Sequence, residues 1–260
     1  MSRTTGGGDE RTGRTIRSVE IALNIIELLQ ERGRIGVTEI ANDLGHSKST
    51  VHSHLRTLEK RRVLVREGDG YRLSLRIIDM ATRVREQVGN YDVIEREVDK
   101  LATETGEIAH FGIEEYGEVY YLCKARGSQS VETKSRIGTQ QPMYSTSLGK
   151  TILAHLPPER QEQIIESCRF EPHTPHTITS PDALYEELET TIERGYGIDD
   201  EENIEGLRCV AAPVKNGETV LGAISISGPT SRFTDERLHT ELAEHVKRAA
   251  NVIELNTKFS

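Results

Sequence analysis

The chain of 260 residues has no tryptophan, only four phenylalanines and only three cysteines. Cys123, Cys168 and Cys209 are odd in number and far apart, which argues against a disulfide framework. No apolar run approaches the ~20 residues that span a bilayer. The opening "MSRTTGGGDERTGRT" lacks the apolar core of a secretion signal, so residues 1–14 read as a short flexible tail on a soluble, cytoplasmic protein. Lysine is scarce too, at 9 against 24 arginines, and acids outnumber bases 42 to 33. An acidic chain poor in lysine suits a cytoplasm at molar salt, so the composition points to a halophilic source.

The shortage of positive charge is confined to one part. Residues 1–85 hold 16 Lys and Arg against 11 Asp and Glu, a net +5, while residues 86–260 hold 17 against 31, a net −14. A basic head on an acidic body predicts that the head meets a polyanion and the body does not.

The head resolves into short pieces. Ser18 suits the N-cap of a helix with Val19, Ala22, Leu23, Ile26 and Leu29 on one face and Gly33 as its stop. Thr38 is placed as the cap of a second helix, Glu39 to Leu44, which Gly45 ends in a turn. A third helix starts near Ser47 and buries Val51, Leu55 and Leu58, with Lys48, Ser49, His52, Ser53, Arg56 and Lys60 outward. In "VLVREGDGYRLS", Gly68-Asp69-Gly70 turns between two short strands. Three helices and a hairpin make a winged helix-turn-helix over residues 15–75.

The third helix fits the major groove of double-stranded DNA, and its hydroxyls, imidazole, lysine and arginine suit base edges and phosphates. The residues assigned to DNA are Thr38, Ser47, Lys48, Ser49, Thr50, His52, Ser53 and Arg56, with Arg66 and Arg72 setting the wing on the flanking backbone. Next, "RIIDMATRVREQVG" places Ile77, Ala81, Val84 and Val88 on one stripe of a charged helix. Residues 76–90 read as a linker helix and part of a dimer contact, or equally as a core helix of the head.

Residues 91–260 form the body. A helix, "YDVIEREVDKLATETG", leads to the alternating segments "EIAHFGIEEYGEVYYLCKARG" and "QSVETKSRIGTQQPMYS". A helix "TSLGKTILAHL", a loop "PHTPHTITSPDA" and a charged helix from Leu184 to Arg194 follow, then a hairpin and a final helix from Asp235 to Asn256. The class is α+β, an antiparallel sheet carrying helices.

In "RGYGIDDEENIEGLRC" four consecutive carboxylates precede Cys209. A calcium loop needs oxygens at alternating positions, a turn glycine and a distal glutamate, which this run does not supply. Adding Cys168, His173 and His176 from "CRFEPHTPH" leaves no fourth ligand nearby. A nucleophilic Cys209 needs a base and a lowered thiol pKa, but the motif holds no histidine and "CVAAPV" buries the thiol. Neither a metal nor a cofactor is expected.

A pocket wall is the third reading. In "LGAISIS", Leu221, Ala223, Ser225 and Ser227 share one face of a strand, with Ile224 and Ile226 on the other. A two-residue turn at Asn216-Gly217 would pair Cys209 with Ile224, whereas a three-residue loop with a bulged Gly217 would pair it with Ala223, on the serine face. The helix opened by "STSLGK" presents N–H groups to a carboxylate.

The pieces "STVHSHLRTLE", "MYSTSLGKTILAHLP", "TPHTIT", "RGYGIDDEENIEGLRCVAAPV" and "LGAISISGP", in that order, resemble the IclR-type transcription regulators. The likeness runs from about Ser18 to Asn256. It implies a winged-helix domain joined by a linker helix to a GAF-like effector-binding and oligomerisation domain, with no enzymatic activity. It also implies homodimers or dimers of dimers on palindromic operators, a small organic or aromatic acid as effector, and control of catabolic genes for sugars, sugar acids or other small acids. Taken with the composition, it points to a halophilic archaeon.

The resemblance implies effector contacts at Asp199, Cys209, Ser225 and Ser227, with Ser147 and Leu148 at a helix start. Asp200, Glu201 and Glu202 are expected in solvent. The chain departs from the family at Ser53, where arginine is common, and at Arg62, where glycine is common; the second predicts a differently shaped approach to the wing. Two rivals remain: a small-acid-processing enzyme with an appended DNA-binding domain, and an architectural DNA binder whose serine face is in solvent.

Overall fold

A computed structural model describes residues 15–257, which form two compact units divided between Gln87 and Val88. The tail expected over residues 1–14 lies outside the described residues.

The first unit runs α1 (Arg17–Arg32), β1 (Ile35–Gly36), α2 (Val37–Asp43), α3 (Lys48–Lys60), β2 (Leu64–Glu67), β3 (Gly70–Leu73) and α4 (Arg76–Gln87). The strands form a three-stranded antiparallel sheet in the order β1-β3-β2. Its core joins Ile21, Ile25 and Leu29 of α1 to Ile40, Val51, Leu55, Leu64 and Tyr71. The buried face of α1 is rotated from the one expected, because two apolar stripes compete on this helix. The isoleucine stripe takes the core, and Val19 and Leu23 stay 50% and 51% exposed.

Two caps also differ. Ile16, not Ser18, stands at the N-cap of α1. Gly36 caps α2, its N–H donating to the Glu39 carboxylate at 3.0 Å, so Thr38 lies inside the first turn. Ser47 does cap α3, accepting from the Thr50 N–H at 3.1 Å.

Arg62 lies in the turn between α3 and β2. Its φ is +61°, the left-handed conformation that glycine favours. The turn is held by Ser74, whose hydroxyl donates to the Arg62 carbonyl at 2.6 Å, and by Arg76, which donates to the Arg61 carbonyl at 2.6 Å. A left-handed non-glycine residue costs about 1–2 kcal/mol. Arg62→Gly is therefore expected to raise the unfolding free energy by about 1 kcal/mol in chemical denaturation. A loss of stability would show that the arginine side chain contributes more than its backbone strain.

The second unit runs α5 (Tyr91–Thr105), β4 (Ile108–Glu115), β5 (Glu118–Arg126), β6 (Gln140–Pro142), α6 (Ser147–Ala154), α7 (Pro158–Ser167) and α8 (Pro181–Arg194). It continues with β7 (Gly197–Asp200), β8 (Leu207–Asn216), β9 (Thr219–Pro229), α9 (Asp235–Arg237), a π turn (Leu238–Leu242) and α10 (Ala243–Thr257). Six antiparallel strands lie in the order β6-β5-β4-β9-β8-β7. One sheet face packs Phe111, Val210, Ile224 and Ile226 against α5 and α10. The other packs Val119, Tyr121, Ala211 and Ala223 among Leu148, Ile152, Ile164 and Leu184 of α6, α7 and α8.

Three elements differ from expectation. Only Gln140–Pro142 of the second alternating segment pairs as a strand, α7 fills a stretch to which no element is assigned from the sequence, and the acid run begins as the edge strand β7.

The hairpin register matches neither alternative. Asn216 pairs with Thr219, so Gly217-Glu218 form the turn, and the ladder shifts between Val214, opposite Gly222, and Lys215, opposite Val220. Leu221 is the extra residue, and Cys209 pairs with Ser227. The irregularity falls where any side chain at Gly222 would collide with the Gly112 carbonyl and the Phe111 ring. It also turns Leu221 off the serine face and onto the side of Ile224, while Ala223, Ser225, Ser227 and Cys209 share the other.

Candidate functional site

The hairpin register builds two rows of polar groups across the sheet. Asp199 of β7, Cys209 of β8 and Ser227 of β9 stand side by side. Two residues along, Ala211 and Ser225 continue into His110 of β4. The Tyr121 ring stacks on His110 with centroids 4.5 Å apart. Both serines are buried, at 2% and 7% exposure, so the serine face is not in solvent.

The N-terminus of α6 faces these rows. Thr146 caps the helix, accepting from the Gly149 N–H at 3.0 Å, and Ser147 and Leu148 follow it into the first turn. All eight residues of α6 are buried. The helix sits close because a side chain at Gly149 would strike the Met143 backbone, and one at Gly197 would strike Thr151. Lys134 and Ser135 close one side and Asn203 and Ile204 another, around a cavity of about 220 Å³. Ser147, Leu148, Asp199, Cys209, Ser225 and Ser227 all line it.

His110, Tyr121, Lys134 and Asn203 line it as well and were not foreseen. They furnish the aromatic ring, imidazole and cation that the sequence left unseen. One signal was available, since His110 is a polar residue at an inward position of an apolar strand.

Burial governs the electrostatics. The Asp199 carboxylate accepts the Glu202 N–H at 2.8 Å and the Asn203 N–H at 3.3 Å. Even so, burial, and then the neighbouring Glu202 carboxylate, push its pKa up to about 7. The Cys209 thiol is pushed well up by burial and then by Asp199, while hydrogen-bonding Ser227 and Asp199, so it persists as the thiol rather than the nucleophilic thiolate. Burial, reinforced by Lys124, holds His110 down to about 3 and keeps it neutral. His110 Nε2 shares a hydrogen bond with the Ser135 hydroxyl at 3.0 Å, and Lys124 donates to the Ser135 carbonyl at 2.6 Å, fastening this part of the wall. Hydroxyls, a neutral imidazole and a protonatable carboxyl thus face a helix N-terminus and a lysine. Such an arrangement has the chemistry to suit a small polar acid, and it offers no nucleophile.

The acid run splits. Arg208 donates to both Asp200 oxygens, and Glu201 accepts the Gly206 N–H at 2.7 Å. Glu202 is not in solvent: it is buried against Lys150, because a buried lysine requires a carboxylate partner. His173 stacks on Tyr144 and shares a hydrogen bond with its hydroxyl at 3.1 Å. Among the described residues no group of three His, Cys, Asp or Glu is placed to hold a metal ion, and no helix is long and apolar enough to cross a membrane.

In the first unit, Lys48, Ser49, His52, Ser53 and Arg56 lie exposed on α3. Ser47 and Thr50 share a hydrogen bond at 2.8 Å as part of the cap, and the Ser53 hydroxyl donates to the Ser49 carbonyl at 3.0 Å. Arg66 and Thr38 are exposed, whereas Arg72 donates to Glu67 and to the Leu73 carbonyl, both at 3.1 Å, and braces the wing.

Two family models match the chain. The IclR helix-turn-helix domain matches residues 18–68, and the Bacterial transcriptional regulator IclR C-terminal matches residues 86–255. The probable HTH-type transcriptional regulator ArcR of Halobacterium salinarum is 34% identical over 247 residues, 93% of this chain and 94% of that protein. The crystal structure of the Thermotoga maritima IclR superposes with a TM-score of 0.78 at 30% identity, covering 92% of this chain and 96% of that one. An IclR homologue from Microbacterium hydrocarbonoxydans, complexed with 4-hydroxybenzoate, shares the fold with a TM-score of 0.79 at 22% identity, covering 94% and 100%.

Proposed function

Because the chain belongs to the IclR family and is a DNA-binding transcription regulator, we propose that a small organic acid in the α6–sheet cavity modulates its affinity for an operator. The proposed effector is a hydroxylated or keto acid, its carboxylate at the α6 N-terminus and its hydroxyls on Ser225, Ser227 and Asp199. The regulated genes are those of sugar, sugar-acid or other small-acid catabolism. The cavity itself carries this reading: neutral hydrogen-bonding side chains opposite a helix N-terminus, with Cys209 kept as an inert thiol.

The proposed unit of binding is a homodimer on a palindromic operator. Within the first unit, Ile16 at the α1 N-cap and Val19 and Leu23 on α1 stand at 66%, 50% and 51% exposure. On α4, Ile78, Met80 and Val84 are exposed at 61%, 51% and 57%, and no residue of that helix is buried. Apolar faces of this kind ask for cover, and a second copy supplies it. We place the protein in the cytoplasm of a halophilic archaeon, a source favoured by the low lysine content and the Halobacterium relative.

Calorimetric titration with a panel of small organic acids tests the effector. The account expects one acid to bind, and Ser225→Ala with Ser227→Ala to weaken it by roughly tenfold or more. No binding by any acid would sink it. Cys209→Ser separates the regulator from an acid-processing enzyme. A regulator keeps its DNA affinity and retains acid binding within about threefold, whereas a thiol-dependent enzyme loses turnover altogether.

A further inference from the structure

The turn at residues 200–203, just after Asp199, is held mostly by groups outside the cavity lining. Lys150, 1% exposed on α6 one turn beyond Ser147, donates to Glu202 Oε1. Its Nζ also lies 3.5 Å from Glu187 of α8, which in turn binds Arg194 at 2.7 Å. Glu202 Oε2 is buried with no hydrogen-bond partner among the described residues. From the "TPHTIT" stretch, the Thr177 hydroxyl donates to the Glu202 carbonyl at 2.6 Å and the Thr174 hydroxyl to the Glu201 carbonyl at 2.7 Å. Asn203 Nδ2 donates to Gln141 across the cavity at 3.1 Å. Glu201 is locked at φ +60°. A non-glycine residue stays there only where its surroundings over-determine the backbone.

A buried ion pair is a poor device for stability, since apolar replacements of similar volume are often neutral or better. The Lys150–Glu202 pair therefore calls for another reason. We propose that Lys150 and Glu202 are positioning residues: they fix the turn that sets Asp199 and Asn203 in the cavity wall, though neither lines the cavity. The proposal rests on the cavity being the effector site. It gives the lysine of "SLGK", the third acid after Asp199 and the threonines of "TPHTIT" one shared task.

The test uses the full chain with neither acid nor DNA present. N-ethylmaleimide is the probe, and peptide mass spectrometry follows labelling at Cys209, which stands beside Asp199, and at Cys168. Lys150→Met leaves Glu202 as an uncompensated buried charge and is expected to lower Tm. Adding Glu202→Gln removes that charge and regains most of the loss. In the double variant Cys209 is expected to label about tenfold faster than in the wild type, because the wall opens locally, with Cys168 unchanged. If Lys150→Met does not fold, the double variant decides alone.

A double variant with wild-type labelling at Cys209 would overturn the proposal, leaving the pair a packing feature. Equal acceleration at Cys168 would overturn it too, since the whole domain would then have loosened. No effector enters this experiment, so its failure leaves the acid-binding reading standing. Failure of every acid to bind the wild-type protein would remove that reading, and with it the functional purpose given to the pair, without altering the labelling result.

Discussion

Arg56→Glu is expected to lower operator affinity by about a hundredfold while acid binding stays unchanged. Arg56 lies exposed on α3, on the face that carries Lys48, Ser49, His52 and Ser53. Losing a base or phosphate contact there costs about 1–3 kcal/mol. A carboxylate facing phosphates adds repulsion, and about 2.7 kcal/mol in total corresponds to the hundredfold loss. The fold has little at stake, because the hydrophobic side of α3 is Val51, Leu55 and Leu58. Fluorescence anisotropy with an operator duplex reads the effect. Affinity within threefold of wild type would mean that α3 does not face DNA.

Asp199→Asn should change how both stability and acid affinity respond to pH. The folded protein holds the Asp199 proton more tightly than the unfolded chain, its pKa having moved from 3.8 to about 7. A raised pKa contributes stability that is complete below pH ~4 and lost as pH rises through about 7. At 1.36 kcal/mol per pH unit the ceiling on this loss is about 4 kcal/mol. Asparagine still accepts the Glu202 and Asn203 N–H groups but carries no charge, so the variant should match the wild type near pH 4 and exceed it near pH 8. Denaturation at several pH values gives the difference curve. A constant difference would show that Asp199 does not titrate in this window. A carboxylate effector should likewise bind the wild type more weakly as pH rises through about 7, since it then meets an ionised Asp199. In the variant that slope should vanish.

Local chemistry made much of this legible. The Ser47 cap, the Val51–Leu55–Leu58 stripe and the Thr146-Ser147-Leu148 helix start rest on neighbours within one turn, and the alternation of Ala223, Ser225 and Ser227 is a property of one strand. What was missed depends on distant partners. The register turns on Leu221 and Gly222, whose bulge adjoins a contact with Phe111 and Gly112 in another strand. Glu202 looks like a surface acid until Lys150, 52 residues earlier, is seen buried beside it. His110 and Lys134 reach the cavity only once β4 pairs with β9 and the loop folds over the sheet. The α1 face was misread because two apolar stripes fit one helix, and only its packing partners choose between them.

The central claim is that one molecule couples the serine-lined cavity to the DNA-facing helix. The most direct test is binding of the purified protein to the DNA upstream of its own gene, in concentrated KCl, with and without the acid found by calorimetry. Sequence-specific binding that this acid shifts by about fivefold or more is the predicted result. An acid that fills the cavity while operator affinity stays constant would contradict the coupling, and no specific binding at any salt concentration would contradict the account at its root.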